Sequence, residues 1–403
     1  MNNRWKRQSA CILSALIVGT PALASEHSLH DAVSKGEVSG NVRLRYESVD
    51  QDNVLKDADA LAIWARLGYS TASYHGVSGV LEFEDSRNVL GLDDYNNALG
   101  KNTNYSVIPD PETTEVDQAY LQYSVDKLMA RLGRQVITYD NQRYVGPVGW
   151  RQDRQTFDAL RLSYSPSDSL SLGYAFLNQR NRIFAEARDV AAKDHLLNLG
   201  YDTGFGKLSA YAYLLEEDDG PDNALDTFGL RYAGNQELES IDLMYTAEYA
   251  TQKAEAGASD FDADYFSMTA GVGIKGITIA LGYEVLGSDA GNYGFSTPLA
   301  TLHLFNGWSD QFLSTPVNGL EDMSVTVKGG LAGGKWAVVY HDYSADEPGP
   351  GVDDLGDEWG VAYNRSFAGN YSAGVKYAMY SAGDTAAGKV DTNKLWLTLG
   401  ASF

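Results

Sequence analysis

Apolar side chains recur at every second position in segment after segment of this chain. Alternation with period two marks a strand with one apolar and one polar face. Val42, Leu44 and Tyr46 interleave with Arg43, Arg45 and Glu47, and Leu61, Ile63, Ala65, Leu67 and Tyr69 interleave with Trp64 and Arg66. The pattern returns along the chain as far as Leu395, Leu397, Leu399, Ala401 and Phe403. It gives about 18 segments of roughly 8–12 residues, the length a tilted strand needs to cross a bilayer. After residue 24 no window holds the run of about 18 apolar residues that a membrane helix requires.

The connectors alternate as regularly as the strands. Short ones rich in turn formers fall at Thr71–Gly76, Ser124–Lys127, Ser165–Ser169, Asp202–Gly206, Ala233–Leu238, Gly273–Gly276, Leu331–Gly334 and Arg365–Asn370. Long or polar ones lie between them, at Asp50–Asp59, Asp85–Thr114, Thr138–Thr156, Asn181–Asp194, Glu217–Leu225, Ala250–Phe261, Gly287–Gly319, Ala345–Gly356 and Ser381–Asn393. A soluble sandwich has no reason to keep that order. The pattern predicts an all-β fold, a transmembrane antiparallel β-barrel of about 18 strands with short periplasmic turns and long extracellular loops. Closure is required because an open edge would leave unpaired backbone groups in hydrocarbon. Tyrosines at strand ends, among them Tyr69, Tyr123, Tyr164, Tyr201 and Tyr249, suit the boundary between lipid and headgroup.

Residues 1–24 read as a signal peptide: Arg4, Lys6 and Arg7 precede an apolar stretch from Ala10 to Val18, and Pro21-Ala22-Leu23-Ala24 ends in small residues. A short polar segment, 25–35, then leads into one barrel over 36–403. The expected location is the outer membrane of a Gram-negative bacterium. Cys11 lies in the leader, so the processed chain has no thiol for a disulfide or a metal. The formal charge is −23, and removal of the leader takes three basic groups and no acidic one, leaving −26. Such a chain repels the phosphate backbone, so nucleic acid is excluded as a partner.

If the apolar parity faces lipid, Arg43, Arg45, Arg66, Arg131, Arg161, Arg231, Lys328 and Lys376 point into the lumen, with Glu47, Glu82, Glu84, Asp242, Glu248 and Glu284. Arg134, Arg143, Arg151 and Arg154 lie on or beside the loop that follows Leu132. Three readings stay open: these charges pair across the pore merely to satisfy one another, an arginine-lined constriction attracts carboxylates, or the lumen passes a neutral or cationic solute. Acidic runs such as Glu216–Asp219 fall in outer connectors, where divalent cations could bridge them to lipopolysaccharide or solvent alone could cover them. Whether Gly287–Gly319 and Asp85–Thr114 fold inward or form outer lids stays open as well.

The stretch LGRQVITYDNQRYVGPVGWRQDRQTFDALRLSY, residues 132–164, resembles the hallmark of the alginate-export family of outer-membrane proteins. The segment PLATLHLFNGWSDQFLSTPVNGLEDMSV, residues 298–325, resembles the same family's later loop. The resemblance implies a barrel of about 18 strands with an Arg-rich constriction that selects acidic sugars. On the matching positions it implies Arg134, Arg143, Arg151, Arg154 and Arg161 as site residues, with Asp153 and Asp158 as their salt-bridge partners. It gives His303, Asn306 and Trp308 packing or loop-folding roles. The short turns leave out the periplasmic plug loop of the dedicated alginate exporter.

The expected function is a porin for passive diffusion of small hydrophilic anions, acidic sugars or organic acids, without enzymatic activity and without a cofactor. Its expected partners are outer-membrane lipid and lipopolysaccharide, a small anionic solute, and the barrel-assembly machinery through Phe403; a monomer is expected. The alternatives are a barrel enzyme acting on lipid or polysaccharide and a closed structural or adhesive barrel. The chain has no G-x-S-x-G or H-E-x-x-H motif, and its six histidines are scattered. His341 and Ser344 are a nearby His/Ser pair, at a spacing that puts them on opposite faces of a continued strand.

Overall fold

The structure, a computed structural model, describes residues 28–218 and 223–403. The expected signal peptide lies outside the described residues. Eighteen strands form one antiparallel sheet in which every strand pairs with its neighbours in sequence. They run Glu37–Gln51, Ala58–Ser70, Val77–Asp94, Thr113–Val125, Leu128–Gln135, Thr156–Tyr164, Leu170–Asn181, Val190–Asp202, Lys207–Glu216, Asn223–Leu238, Ile241–Ala256, Ser259–Ile274, Ile277–Leu286, Leu320–Leu331, Gly334–Gly349, Val352–Phe367, Tyr371–Ser381 and Thr392–Ser402. The first strand also pairs with the last, Leu44 opposite Leu399, so the sheet closes on itself and leaves no edge. At the seam, the amides of Gly40 and Phe403 each donate to the other's carbonyl, at 3.0 and 2.9 Å.

The outer face follows the alternation. Leu67, Leu121, Leu132, Leu230, Leu281 and Leu399 are all exposed, and the register sets Leu121 beside Leu132 and Leu132 beside Leu160. A closed barrel with an exposed apolar band, carrying Tyr123, Tyr164, Tyr201 and Tyr371 near its short turns, is the form that sits in an outer membrane. Among the described residues no helix is long and apolar enough to cross a membrane. The tightest turns have a local cause: Lys275-Gly276 and Ala332-Gly333 both take positive φ at both central residues, the type I′ geometry that matches strand twist.

Several connectors differ from expectation. The polar stretch Ala250–Phe261 is mostly strand, with Ala256 opposite Ser259 across a two-residue turn. In Ala345–Gly356 the strands likewise continue, through a register shift, until Gly349 faces Val352. The strand beginning at Val77 runs on to Asp94, well into the expected loop from Asp85. On the opposite side Ala233–Leu238 is strand, and Leu238 faces Ile241. The reason is common to all four: beyond the bilayer both faces are wet, so polar side chains occupy both parities while the backbone ladder continues. The polar segment before the barrel also has structure, a short helix over Leu29–Ser34 capped by Ser28, whose hydroxyl accepts from the Asp31 amide at 3.0 Å. It docks at the barrel mouth, where the Ala72 amide donates to Ala32 at 2.9 Å.

Two loops, 136–155 and 287–319, fold into the barrel. They pack an apolar cluster against the inner wall that includes Ile137, Tyr144, Val145, Phe157, Tyr211, Tyr213, Tyr265, Phe295, Leu299 and Phe312. Backbone bonds tie the loops together, as when the Gly146 amide donates to Leu299 at 2.9 Å.

Candidate constriction site

The loop 136–155 is held across the lumen by arginines of the first strand. Arg43 donates through Nε to Gln152 Oε1 at 2.9 Å, through Nη1 to the Gly149 carbonyl at 3.1 Å, and to the Arg151 carbonyl. Arg45 donates to the Trp150 carbonyl at 2.6 Å and lies 4.2 Å from the centre of that indole. Val148 takes φ 51°, a left-handed conformation that a β-branched residue adopts only under constraint, and its amide is fixed by Thr301 Oγ1 at 3.1 Å.

Most of the loop's own basic side chains are paired. Arg151 is buried and reaches both oxygens of Glu47 at 3.2 Å, Asp310 at 2.8 Å and Asp110 at 3.6 Å. Arg143 is buried against Glu284 at 3.1 Å and Asn306 at 3.2 Å. Arg154 forks onto Asp117 at 2.8 and 2.5 Å and reaches Glu82 at 2.6 Å, while Arg66 joins both carboxylates at 3.4 Å. Arg134 pairs with Asp158 at 2.8 Å, and Arg231 with Glu248 at 3.3 Å. Breaking one of the buried pairs strands a charge in a low dielectric, so Arg143, Arg151 and Arg154 fasten the loop firmly.

Arg131 and Arg161 differ. They face each other in register on adjacent strands toward the short-turn end, and among the described residues neither has a carboxylate partner. Arg131 donates to Gln122 at 2.7 Å and covers the Tyr120 ring at 4.1 Å, while Arg161 lies 5.7 Å from the Tyr139 ring and its Nε makes no hydrogen bond. A third cation of this type, Lys376, sits 3.9 Å from the Trp150 ring and 4.4 Å from Trp308. Its ammonium donates to His303 Nε2 at 3.0 Å. Burial pushes His303 down to about 3, which makes the ring neutral, with Nδ1–H donating to Asp310 at 2.6 Å. Against the opposing effect of burial, Lys394, His303 and Arg151 hold the Asp310 carboxyl well below its ordinary value.

Asp158 therefore has the arginine partner that the motif implies, and Asp153 does not. The backbone places Asp153 between Glu84 and Glu115, and its carboxylate, 1% exposed, receives no hydrogen bond at either oxygen. Burial, compounded by the Glu84 and Glu115 carboxylates, pushes Asp153 up to about 11. His303 and Asn306 do fold the second loop, Asn306 through Glu284 at 2.7 Å and Asp322 at 3.0 Å. The Trp308 amide is held by Glu358. His341 is engaged by Asp322 at 2.9 Å.

Sequence reasoning missed Asp117. A bulge lets Glu82 face Gln118 and Phe83 face Val116, which turns the fully buried Asp117 inward beside Gln118. The signal was legible in principle: two adjacent polar residues in a membrane strand cannot both be inward without a bulge. Asp110 and Asp310, each in a loop, were missed for lack of any periodicity.

A closed barrel with two inward-folded loops and a charged inner wall defines an outer-membrane β-barrel of the channel-forming type. The alginate export family model matches residues 32–285, and the chain belongs to that family. None of the curated proteins searched matches this chain. Solved structures share the fold. Acinetobacter baumannii OccAB4 is 15% identical with a TM-score of 0.71, over 95% of this chain and 99% of that one. Pseudomonas aeruginosa OccK11 (OpdR) is 15% identical with a TM-score of 0.69, over 95% and 98% of the two chains. Pseudomonas aeruginosa OpdK, solved with vanillate, is 13% identical with a TM-score of 0.72, over 91% and 98%.

Proposed function

We propose that the chain is a non-enzymatic outer-membrane porin through which small hydrophilic anions, acidic sugars or organic acids, diffuse passively. One observation carries the reading: Arg131 and Arg161 form a guanidinium pair on the inner wall without a carboxylate to neutralise it. In a passage that strips part of a solute's water, two adjacent guanidinium groups offer their remaining N–H donors to a carboxylate and repel small cations. Tyr120 and Tyr139, both buried, lie under the two guanidinium groups and help hold them in place. OpdK, of the same fold, is solved with vanillate, which agrees with a carboxylate as cargo.

The test is single-channel recording of the purified protein in a salt gradient. The reversal potential should mark an anion-preferring pore, and it should move toward the cation side in Arg131→Ala, further in the double change with Arg161→Ala. Preferential conduction of cations by the wild type, or no shift in the double variant, removes the reading. A silent protein in planar bilayers would favour a closed structural barrel instead.

A further inference from the structure

Three carboxylates meet where the inward loop touches the wall. One oxygen from each of Glu84, Glu115 and Asp153 lies within 4.8 Å of the others. Glu84 is on the third strand, Glu115 on the fourth, and Asp153 arrives from the loop 136–155. An acidic cluster alone means little, since exposed carboxylates gather on many surfaces. Here Asp153 is buried and neither of its oxygens accepts a hydrogen bond. Glu84, also buried, is the better served, by Trp64 Nε1 at 3.1 Å and the Arg154 amide at 3.3 Å. The nearby guanidinium groups are committed elsewhere, Arg154 to Asp117 and Glu82 and Arg134 to Asp158. Three carboxyl groups this close, with no cation paired directly to them, repel one another until a proton or a cation lies between them.

We propose that Glu84, Glu115 and Asp153 bind a divalent cation, Ca2+ by preference, which fastens the inward loop to the barrel wall. The donor set is all oxygen, which selects a hard cation. Oxygens bound to Ca2+ at about 2.3–2.6 Å stand at most about 5 Å apart, and the observed spacing falls inside that limit without any movement of the backbone. Glu115 is half-buried, so water from the lumen completes a coordination shell that three carboxylates leave unfilled. The ion would convert a repulsive contact at the end of the loop next to Thr156 into a further anchor. Its role is positional: it sets how far the loop projects into the passage.

The protein for the test is the full barrel refolded from inclusion bodies into detergent, free of lipopolysaccharide and stripped with a chelator. Tb3+ emission excited through indole reports the site directly, because Trp64 donates to Glu84. Tb3+ should bind at one site per chain with emission that Ca2+ displaces, and calorimetry should give Ca2+ uptake of matching stoichiometry, with affinity of about 10⁻⁴ M or tighter. Asp153→Asn and Glu115→Gln should each weaken Ca2+ by about tenfold or more, as expected when a site loses one ligand charge. Glu115→Gln carries the test if the buried Asp153→Asn variant fails to fold. Absent sensitised emission and uptake, or uptake that both variants leave unchanged, overturns the proposal. The first result would assign a shared proton to the cluster, the second would place the ion in the acidic outer loops. Neither bears on the Arg131/Arg161 reading, which rests on reversal potentials.

Discussion

At the scale of single residues, environment divides side chains of one type into different tasks. Arg151 and Arg154 are enclosed by carboxylates, Arg43 and Arg45 grip backbone carbonyls, and Arg131 and Arg161 are left facing the lumen. His303 shows the same control over protonation. Its ordinary value of 6.5 falls to about 3, with Asp310, Lys376 and Arg151 as its charged neighbours. Between those values the unfolded chain binds a proton that the folded chain does not. The contribution of His303 is therefore fully present above about pH 6.5 and is lost as the pH falls toward 3, by up to about 1.4 kcal/mol per pH unit. Thermal unfolding at about pH 7.5 and about pH 5 should show a smaller loss in His303→Asn than in the wild type. Equal losses would mean that the ring does not titrate in this way. The parity of the arginines was legible in the sequence; their partners were not, because Asp110, Asp117 and Asp310 reach them from loops and a bulge that no periodicity marks.

At the scale of the element, a strand is a two-sided object, and its sides obey different solvents. Leu132 and Leu160 are exposed and adjacent on the outer face, while Arg131 and Arg161 are adjacent on the inner one. Leu132→Arg should destabilise the barrel in lipid vesicles by about 2–4 kcal/mol if its site is near the bilayer midplane. Arginine at Ser163, which shares the parity of Arg161, should cost much less in the same refolding titration. Equal costs would show that the assigned faces are wrong. The limits of the strands were less legible than their cores. Alternation disappears in Ala250–Phe261 and Ala345–Gly356, yet pairing continues to Ala256 opposite Ser259 and Gly349 opposite Val352. Alternation reports a difference between two faces, and beyond the membrane that difference vanishes while hydrogen bonding does not.

At the scale of the molecule, the barrel and its contents are separable in energy. The strands Leu128–Gln135 and Thr156–Tyr164 pair along their full register, from Leu128 opposite Tyr164 to Gln135 opposite Phe157. Replacement of residues 140–153 by a short Gly-Ser turn should leave a folded barrel whose band on an unheated gel still runs fast. Single-channel conductance should rise several-fold, because the loop and its anchors at Arg43 and Arg45 no longer cross the lumen. Unchanged conductance would show that the loop 136–155 does not limit flow.

By itself the sequence determined the closed barrel, the lipid side of the unbulged strand cores and the pairing of neighbours in order. Those features follow from period-two alternation and turn chemistry, which are local and are written within a few residues of where they act. Only the tertiary structure decided which arginines are spent on loops, which stay free, and that three carboxylates converge on one point. Arg43 and Gln152 are 109 residues apart, and what joins them is the inward path of a loop. Charges at contact distance among buried side chains interact strongly, so a path set by many weak contacts fixes the chemistry of the passage.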